Sequence, residues 1–290
     1  MRVHFCGTRG STPAPGLEFV RYGGHTSCVA LSADDGSGSA SAGPTLLLDA
    51  GTGLRRVSAL LGGAPFRGTI LLSHLHWDHV QGLPFFASGD NPEAQVTVLL
   101  PPQEEGAEAE SVLARMMSPP FFPIRPSNLR GDWTFDFLPR DVFTAEGLTV
   151  DGFNVQAREI PHKGGRTVGY RVADDHSTIA YIPDHCPTEL GAGPDAWGEY
   201  HPAALELARD VDLLIHDAHL VPAELPTEAS FGHAAADYAV ELGHRAGARQ
   251  VALFHHRPDR TDDALDGIVA RFSASPVSVL GARDQLELAL

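Results

Sequence analysis

The chain has 290 residues, 43% of them hydrophobic, and a formal net charge of −16. This length suits one large domain with a substantial core, and no apolar stretch approaches the length of a membrane span. The acidic balance argues against a long nucleic acid as partner, because such binding depends on Lys and Arg at the phosphates. Three widely spaced cysteines argue against a disulfide framework and favour a reducing cytoplasm.

Apolar runs and helical spacing alternate through the first half of the chain. In order, they predict strands at residues 1–7 and 26–33, a buried strand from Thr45, a helix at 54–61, strands at 68–73 and 95–100, and a helix at 103–118. The Gly- and Ser-rich run at 33–44 predicts a floppy hairpin tip. Residues 118–126 hold four prolines and two phenylalanines, which excludes regular structure there. This segment is either a rigid packed loop or an aromatic lid over an active site.

The pattern starts again after about residue 132. The predicted elements are strands at 133–138, 148–150, 153–160, 167–173 and 177–182, a helix at 201–209, a strand at 211–215, a helix at 233–245, a strand at 250–254, a helix at 261–272 and a strand at 277–280. No linker separates the two halves. The order favours an α/β fold, a four-layer αβ/βα sandwich of two facing sheets with helices outside, formed by one domain over residues 1–290.

Three histidines and an aspartate lie within residues 74–79, His-Leu-His-Trp-Asp-His, directly after the predicted strand at 68–73. In extended chain His74 and His76 point the same way, and a turn after Trp77 would bring Asp78 and His79 to a second position nearby. Imidazole and carboxylate together suit zinc, manganese or iron. The lack of a cysteine cluster argues against a closed structural zinc site.

Further candidate ligands follow strands downstream. They are His162 in Ile-Pro-His-Lys-Gly-Gly, Asp184 in Ile-Pro-Asp-His, and His255 in Leu-Phe-His-His-Arg-Pro. Spacing alone does not choose His162 over His176, or His255 over His256.

The H-x-H-x-D-H string resembles the signature of the metallo-β-lactamase superfamily. The resemblance implies that fold and two divalent ions, zinc or manganese, which would lower the pKa of a bound water to about 7. It also implies the ligand sets. One ion would take His74, His76, His162 and Asp184; the other would take Asp78, His79, His255 and Asp184, which bridges.

Residues 3–31, the Val-Gly-Tyr-Arg-Val run at 168–172, His-Asp-Ala at 216–218 and Gly232-His233 resemble the ribonuclease Z-like branch of this superfamily. In that branch a His at the position of His233 contacts the scissile phosphate and can protonate the leaving oxygen. An acidic residue at the position of Asp217 can orient it. The catalytic set predicted in this way is His233, Asp78 and Asp217, and His25, beside two glycines, is predicted to face the phosphate together with His233.

The tRNA nuclease of this branch inserts a long arm after the Gly-Tyr-Arg strand, whereas only residues 173–178 separate that strand from the next here. We therefore expect a small phosphodiester, a cyclic nucleotide, to be hydrolysed by metal-bound hydroxide. The alternatives are a thioester or lactam hydrolase of the same fold, and a non-catalytic metal-dependent protein that binds a nucleotide. Relatives are often homodimers, and Phe121 and Phe122 could face a partner.

Overall fold

Within residues 1–33 and 43–290, which the computed structural model describes, the strands form two seven-stranded sheets. Nearly all of the hairpin tip predicted at residues 33–44 lies outside the described residues. The remaining predicted elements are all present, with shifted ends in several cases.

The first sheet comes mainly from the first half of the chain. Its strands are β1 (Arg2–Gly7), β2 (Cys28–Ser32), β3 (Leu46–Leu48), β4 (Arg67–Leu71), β5 (Gln95–Leu100), β6 (Asp132–Phe137) and β14 (Glu287–Ala289). They run in the order β14-β1-β2-β3-β4-β5-β6, and the strands from β3 to β6 are parallel. The sequence patterns do not predict β14, which is only three residues long and pairs antiparallel with β1.

The second sheet comes from the second half. Its strands are β7 (Leu148–Val150), β8 (Phe153–Glu159), β9 (Val168–Ala173), β10 (Thr178–Ile182), β11 (Leu213–Asp217), β12 (Gln250–Phe254) and β13 (Ser278–Gly281). The order is β13-β12-β11-β10-β9-β8-β7. Strands β7 to β10 are antiparallel neighbours, and β10 to β13 are parallel. Strand β11 lies two residues later than the predicted strand at 211–215.

Seven α-helices lie in the described part of the chain. They are α1 (Leu54–Leu60), α2 (Trp77–Val80), α3 (Ala109–Ala114), α4 (Pro202–Ala208), α5 (Leu225–Glu228), α6 (Ala236–Ala246) and α7 (Asp262–Ala270). The helix predicted at 103–118 is too long, because Gly106 adopts a φ of 77° and the chain turns before α3 begins. The sequence patterns do not predict α2 and α5 as helices. Among the residues described, no helix has both the length and the apolar character needed to span a bilayer.

One hydrophobic core lies between the sheets, where Phe5 and Leu48 of the first sheet meet Tyr170 and Phe254 of the second. On the outer faces, α1 and α3 pack on the first sheet and α4, α6 and α7 on the second. The layers are therefore helix, sheet, sheet, helix, which confirms the predicted αβ/βα sandwich. One domain over residues 1–290 stays a prediction, which this shared core favours. The three cysteines are buried and free.

Candidate metal centre

The predicted ligands are carried by loops that follow strands of both sheets. His74 comes three residues after β4, Asp184 two residues after β10, and His255 directly after β12. Loops beyond the carboxyl ends of parallel strands are the usual place for a site in α/β folds, because there the helices and strands leave an open edge. His162 follows β8 and reaches the same place from the antiparallel part of the second sheet.

The first cluster contains His74, His76, His162 and Asp184, whose donor atoms all lie within 4.8 Å of one another. His162 Nε2 is 3.3 Å from His76 Nδ1 and 3.4 Å from Asp184 Oδ1. His74 Nε2 is 3.9 Å from the same carboxylate oxygen. The structure thus brings together the four side chains predicted for one ion.

The second cluster contains Asp78, His79 and His255. His255 Nε2 is 3.0 Å from Asp78 Oδ2 and 3.3 Å from His79 Nε2. Asp184 belongs to this cluster as well, because its Oδ2 lies 3.0 Å from His79 Nε2 and 3.3 Å from His255 Nε2. The two oxygens of Asp184 therefore face the two clusters separately, as a bridging carboxylate would require.

Three observations show that this donor set fits divalent cations. His74 Nε2 is buried and has no hydrogen-bond partner among the described residues, and an unpaired buried polar atom is costly. A tetrahedral zinc ion with Zn–N distances of about 2.0–2.1 Å would set neighbouring ligand atoms about 3.3 Å apart. The ring nitrogens of His79 and His255, and those of His76 and His162, have this spacing. Burial also holds the pKa of His74 well below its usual value, which keeps the metal-binding neutral imidazole.

Asp49 orients the centre without belonging to either cluster. Its Oδ2 accepts hydrogen bonds from His79 Nδ1 at 2.7 Å and from the Tyr181 hydroxyl at 2.8 Å, while its Oδ1 accepts from the Ser73 amide at 2.7 Å. Such a bond fixes the imidazole so that Nε2 faces the ion. The sequence patterns do not predict this contact, since 30 residues separate Asp49 from His79.

His233 and Asp217 form a buried pair beside the clusters. The Nδ1 of His233 donates to Asp217 Oδ2 at 3.1 Å, and the same carboxylate accepts the amides of Ala234, His185 and His219 at 3.0–3.1 Å. Burial lowers the pKa of His233, but the charge of Asp217 and this hydrogen bond outweigh it, so the pKa is raised. The pair favours an imidazolium that can donate a proton.

A cavity of about 770 Å³ opens over the centre. It is lined by Ser11, Leu75, His76, Trp77, Asp78, His162, His219, Phe231, His233, Arg257, Pro258 and Asp259. His219, two residues after Asp217, stacks on His233 with ring centroids 4.2 Å apart. Its proximity to Asp217 in the sequence was the only available signal.

His25 does not lie among the residues that line this cavity. Its Nδ1 is 3.3 Å from the Thr52 hydroxyl, and its carbonyl accepts the amides of Thr8 and Arg9. These contacts hold His25 in the packing between the N-terminal loop and the segment before α1. We therefore do not carry His25 into the proposed substrate site.

The two histidines that spacing left open lie elsewhere. His176 is exposed in the turn between β9 and β10. His256 is buried, donates from Nε2 to the Ala282 carbonyl at 2.7 Å and packs against Tyr22. The structure thus brings His162 and His255 to the centre, and not His176 or His256.

A four-layer sandwich with paired His/Asp clusters at its open edge defines a metallo-hydrolase of the metallo-β-lactamase fold. The chain belongs to the beta-lactamase superfamily, since the family model described as "Beta-lactamase superfamily domain" matches residues 45–256. The ribonuclease Z of Haloarcula marismortui is 24% identical over 305 residues, which cover 93% of this chain and 93% of that protein. This similarity confirms the resemblance to the ribonuclease Z-like branch.

Solved structures agree on the fold. The metallo-beta-lactamase fold protein YhfI from Bacillus subtilis superposes with a TM-score of 0.67 at 18% identity, covering 99% of this chain and 98% of that one. Human tRNase Z, short form, superposes with a TM-score of 0.62 at 20% identity, covering 100% and 99% of the two chains.

Proposed function

We propose that the protein is a phosphodiesterase that uses two divalent cations, zinc or manganese, to hydrolyse a small phosphodiester, namely a cyclic nucleotide. The observation that carries the proposal is that His233, which is hydrogen-bonded to Asp217, lines the same cavity as members of the two clusters joined by Asp184. The similarity to ribonuclease Z supports a phosphoester as the bond that is cleaved.

The first cluster would hold one cation and the second cluster the other, with Asp184 between them. When bound, such a pair would offset the charge of the phosphoryl oxygens and make a nucleophilic water available near neutral pH. The Ser11 amide donates to Asp78 Oδ2 at 2.7 Å and so fixes the orientation of this carboxylate in the second cluster. We assign Asp78 to the ligand set rather than to proton transfer.

His233 would act on the substrate directly. Its Nδ1 is bound to Asp217, so Nε2 is the nitrogen available to a phosphoryl or leaving oxygen at the cavity. A positioned imidazolium is an effective proton donor near neutral pH. Asp217, held by three backbone amides, would keep the ring in place and stabilise its charge.

Size and charge support a small substrate over tRNA. Strands β9 and β10 are joined by residues 174–177, a turn closed by hydrogen bonds to Asp174, so this hairpin carries no arm. The cavity volume of about 770 Å³ is typical of sites for small molecules. The net charge of −16 opposes contact with a long polyanion.

The test is a panel of cyclic nucleotides, linear phosphodiesters, a thioester and a lactam, incubated with zinc- or manganese-loaded protein and resolved by chromatography. We expect cleavage of cyclic nucleotides. Turnover of the thioester or lactam without any phosphodiester would instead indicate another hydrolase of this fold. Tight binding of a cyclic nucleotide without product would indicate a binding protein.

A further inference from the structure

Trp77 is a large apolar side chain that the core does not use. It is the first residue of α2, lies in sequence between the cluster residues His76 and Asp78, and is 73% exposed. Its backbone is held by the turn of the histidine loop, because its carbonyl accepts the Gln81 amide at 2.8 Å. The indole is therefore anchored to the centre and directed away from the core.

Trp77 lines two adjoining cavities. One is the cavity over the clusters; the other is a groove of about 550 Å³, here called the Trp77 groove, lined by Trp77, Gln81, Arg115, Met116 and Phe121. Phe121, from the proline-rich segment 118–126, is 83% exposed. The indole is thus common to both linings, so a ligand whose phosphate lies at the clusters can reach the groove by passing over Trp77.

The groove lacks an uncompensated charge among its lining residues. Arg115 forms two hydrogen bonds of 2.7 Å with the carboxylate of Glu104. The other side chains that line the groove are aromatic, apolar or a neutral amide. This chemistry suits an uncharged planar ring, whereas the neighbouring cavity suits the phosphate.

We infer that the Trp77 groove is the subsite for the nucleobase of the substrate, an inference that rests on the proposed function. The phosphate would lie at the clusters and the base would stack on the indole, with Phe121 at the far side of the groove. Stacking on an aromatic side chain is tolerant of base identity, because every base has a π-face. The substrate would therefore be a nucleoside phosphodiester rather than an alkyl or sugar phosphodiester.

The test compares two ligands that differ only in the base. Adenosine 5′-monophosphate and ribose 5-phosphate are titrated calorimetrically into the metal-loaded wild type and the Trp77→Ala, Trp77→Phe and Leu17→Ala variants. We expect the wild type to bind the nucleotide about tenfold or more tightly than the sugar phosphate. Trp77→Ala should lose this preference while its affinity for ribose 5-phosphate is unchanged, and Trp77→Phe should keep most of it.

Leu17→Ala is the matched control, since Leu17 is an exposed apolar residue outside both cavities; it should behave as the wild type. An equal preference for the nucleotide in Trp77→Ala and the wild type would overturn the inference. Sedimentation of the same proteins measures their oligomeric state. If Trp77→Ala dissociated a dimer, the groove would be an interface between copies of the chain and the inference would be wrong. Failure of the proposed function would appear separately, as absence of phosphodiester turnover in the wild type.

Discussion

Asp184 is the residue on which both ligand clusters depend. Its two oxygens face different clusters, and the neighbouring histidines lie 3.0–3.9 Å from them. The burial of Asp184 would oppose its ionisation, but the surrounding histidines hold its pKa well below the usual value. It is therefore available as a carboxylate, the form that binds a cation.

Replacing Asp184 or His76 with Ala should remove metal and activity together. We expect the metal content to fall and turnover to drop by more than about 100-fold, since even residues that only orient a ligand cost about 10–100-fold. Metal analysis of the purified variants and assay of the phosphodiester panel measure both effects. His176→Ala, an exposed histidine away from the centre, should retain metal and activity. A metal-free variant with normal turnover would contradict the proposed dinuclear centre.

Asp217→Asn should separate orientation of His233 from metal binding. An amide cannot accept all the hydrogen bonds that the carboxylate receives from His233, His185 and Ala234, and it removes the charge that favours the imidazolium. We expect kcat to fall by about 10²–10⁴-fold while the metal content stays at the wild-type level. Unchanged kcat would mean that Asp217 only braces the backbone.

At the scale of elements, the loops after the strands set the positions of the ligands. His255 follows β12 directly and adopts a φ of 55°, a conformation that few residues other than glycine take. The turn at Gly10 packs against its ring: a Cβ added to Gly10 would lie 2.4 Å from His255 Nδ1 and Cε1. The N-terminal loop therefore limits where this ligand can lie.

Gly10→Ala should displace the His255 ring. We expect weaker binding of the second cation and a loss of turnover of about 10–100-fold, measured by metal titration and assay. Gly267→Ala is the control, because a Cβ at Gly267 in α7 would meet no atom within 4 Å; it should leave turnover unchanged and stabilise the helix slightly. Equal behaviour of the two variants would show that Gly10 does not position His255.

For the whole molecule, Asp284 couples stability to pH. It lies in the loop between β13 and β14, where its Oδ2 accepts the His25 amide at 3.2 Å and its backbone amide donates to Tyr22. Burial raises the pKa of Asp284 from 3.8 to about 7. Between these values the folded protein holds a proton that the unfolded chain releases, so stability falls as pH rises through this window and levels off above it.

Asp284→Asn should remove this part of the pH dependence. Relative to the wild type, the variant should gain stability between pH 5 and pH 8. Only about two pH units of this window lie below the raised pKa of about 7, so the gain is at most about 3 kcal/mol and is smaller because the carboxyl is partly exposed. Urea unfolding at the two pH values measures the change. Asp175→Asn, at an exposed position, should show the wild-type dependence. A stability difference between Asp284→Asn and the wild type that does not vary with pH would contradict the raised pKa.

The charge of the whole molecule predicts its response to RNA. With a net charge of −16 and no arm on the β9–β10 hairpin, the protein should not bind tRNA at physiological salt, and cleavage of a cyclic nucleotide should be unaffected by added tRNA. Filter binding at 50 and 200 mM salt tests this. Tight binding that weakens steeply with salt would instead indicate a phosphate-binding surface.

The sequence by itself determined the fold class and the local half of the centre. The histidine loop could be predicted because His74, His76, Asp78 and His79 are close in sequence, and alternation along a strand places the first two on one side. The strands of both sheets could also be predicted, because hydrophobic periodicity is a property of residues that are close in sequence. The exceptions were short elements such as α2 and β14, whose length is set by their neighbours.

Only the tertiary structure decided which distant residues join the centre. His255 lies at the centre, whereas the adjacent His256 donates to the Ala282 carbonyl. Asp49 accepts a hydrogen bond from His79, and His25 lies against the Thr52 hydroxyl. Neighbouring residues on a loop point in different directions, and their directions depend on how two sheets pack. Contacts of this kind join atoms far apart in the chain, so no local pattern in the sequence encodes them.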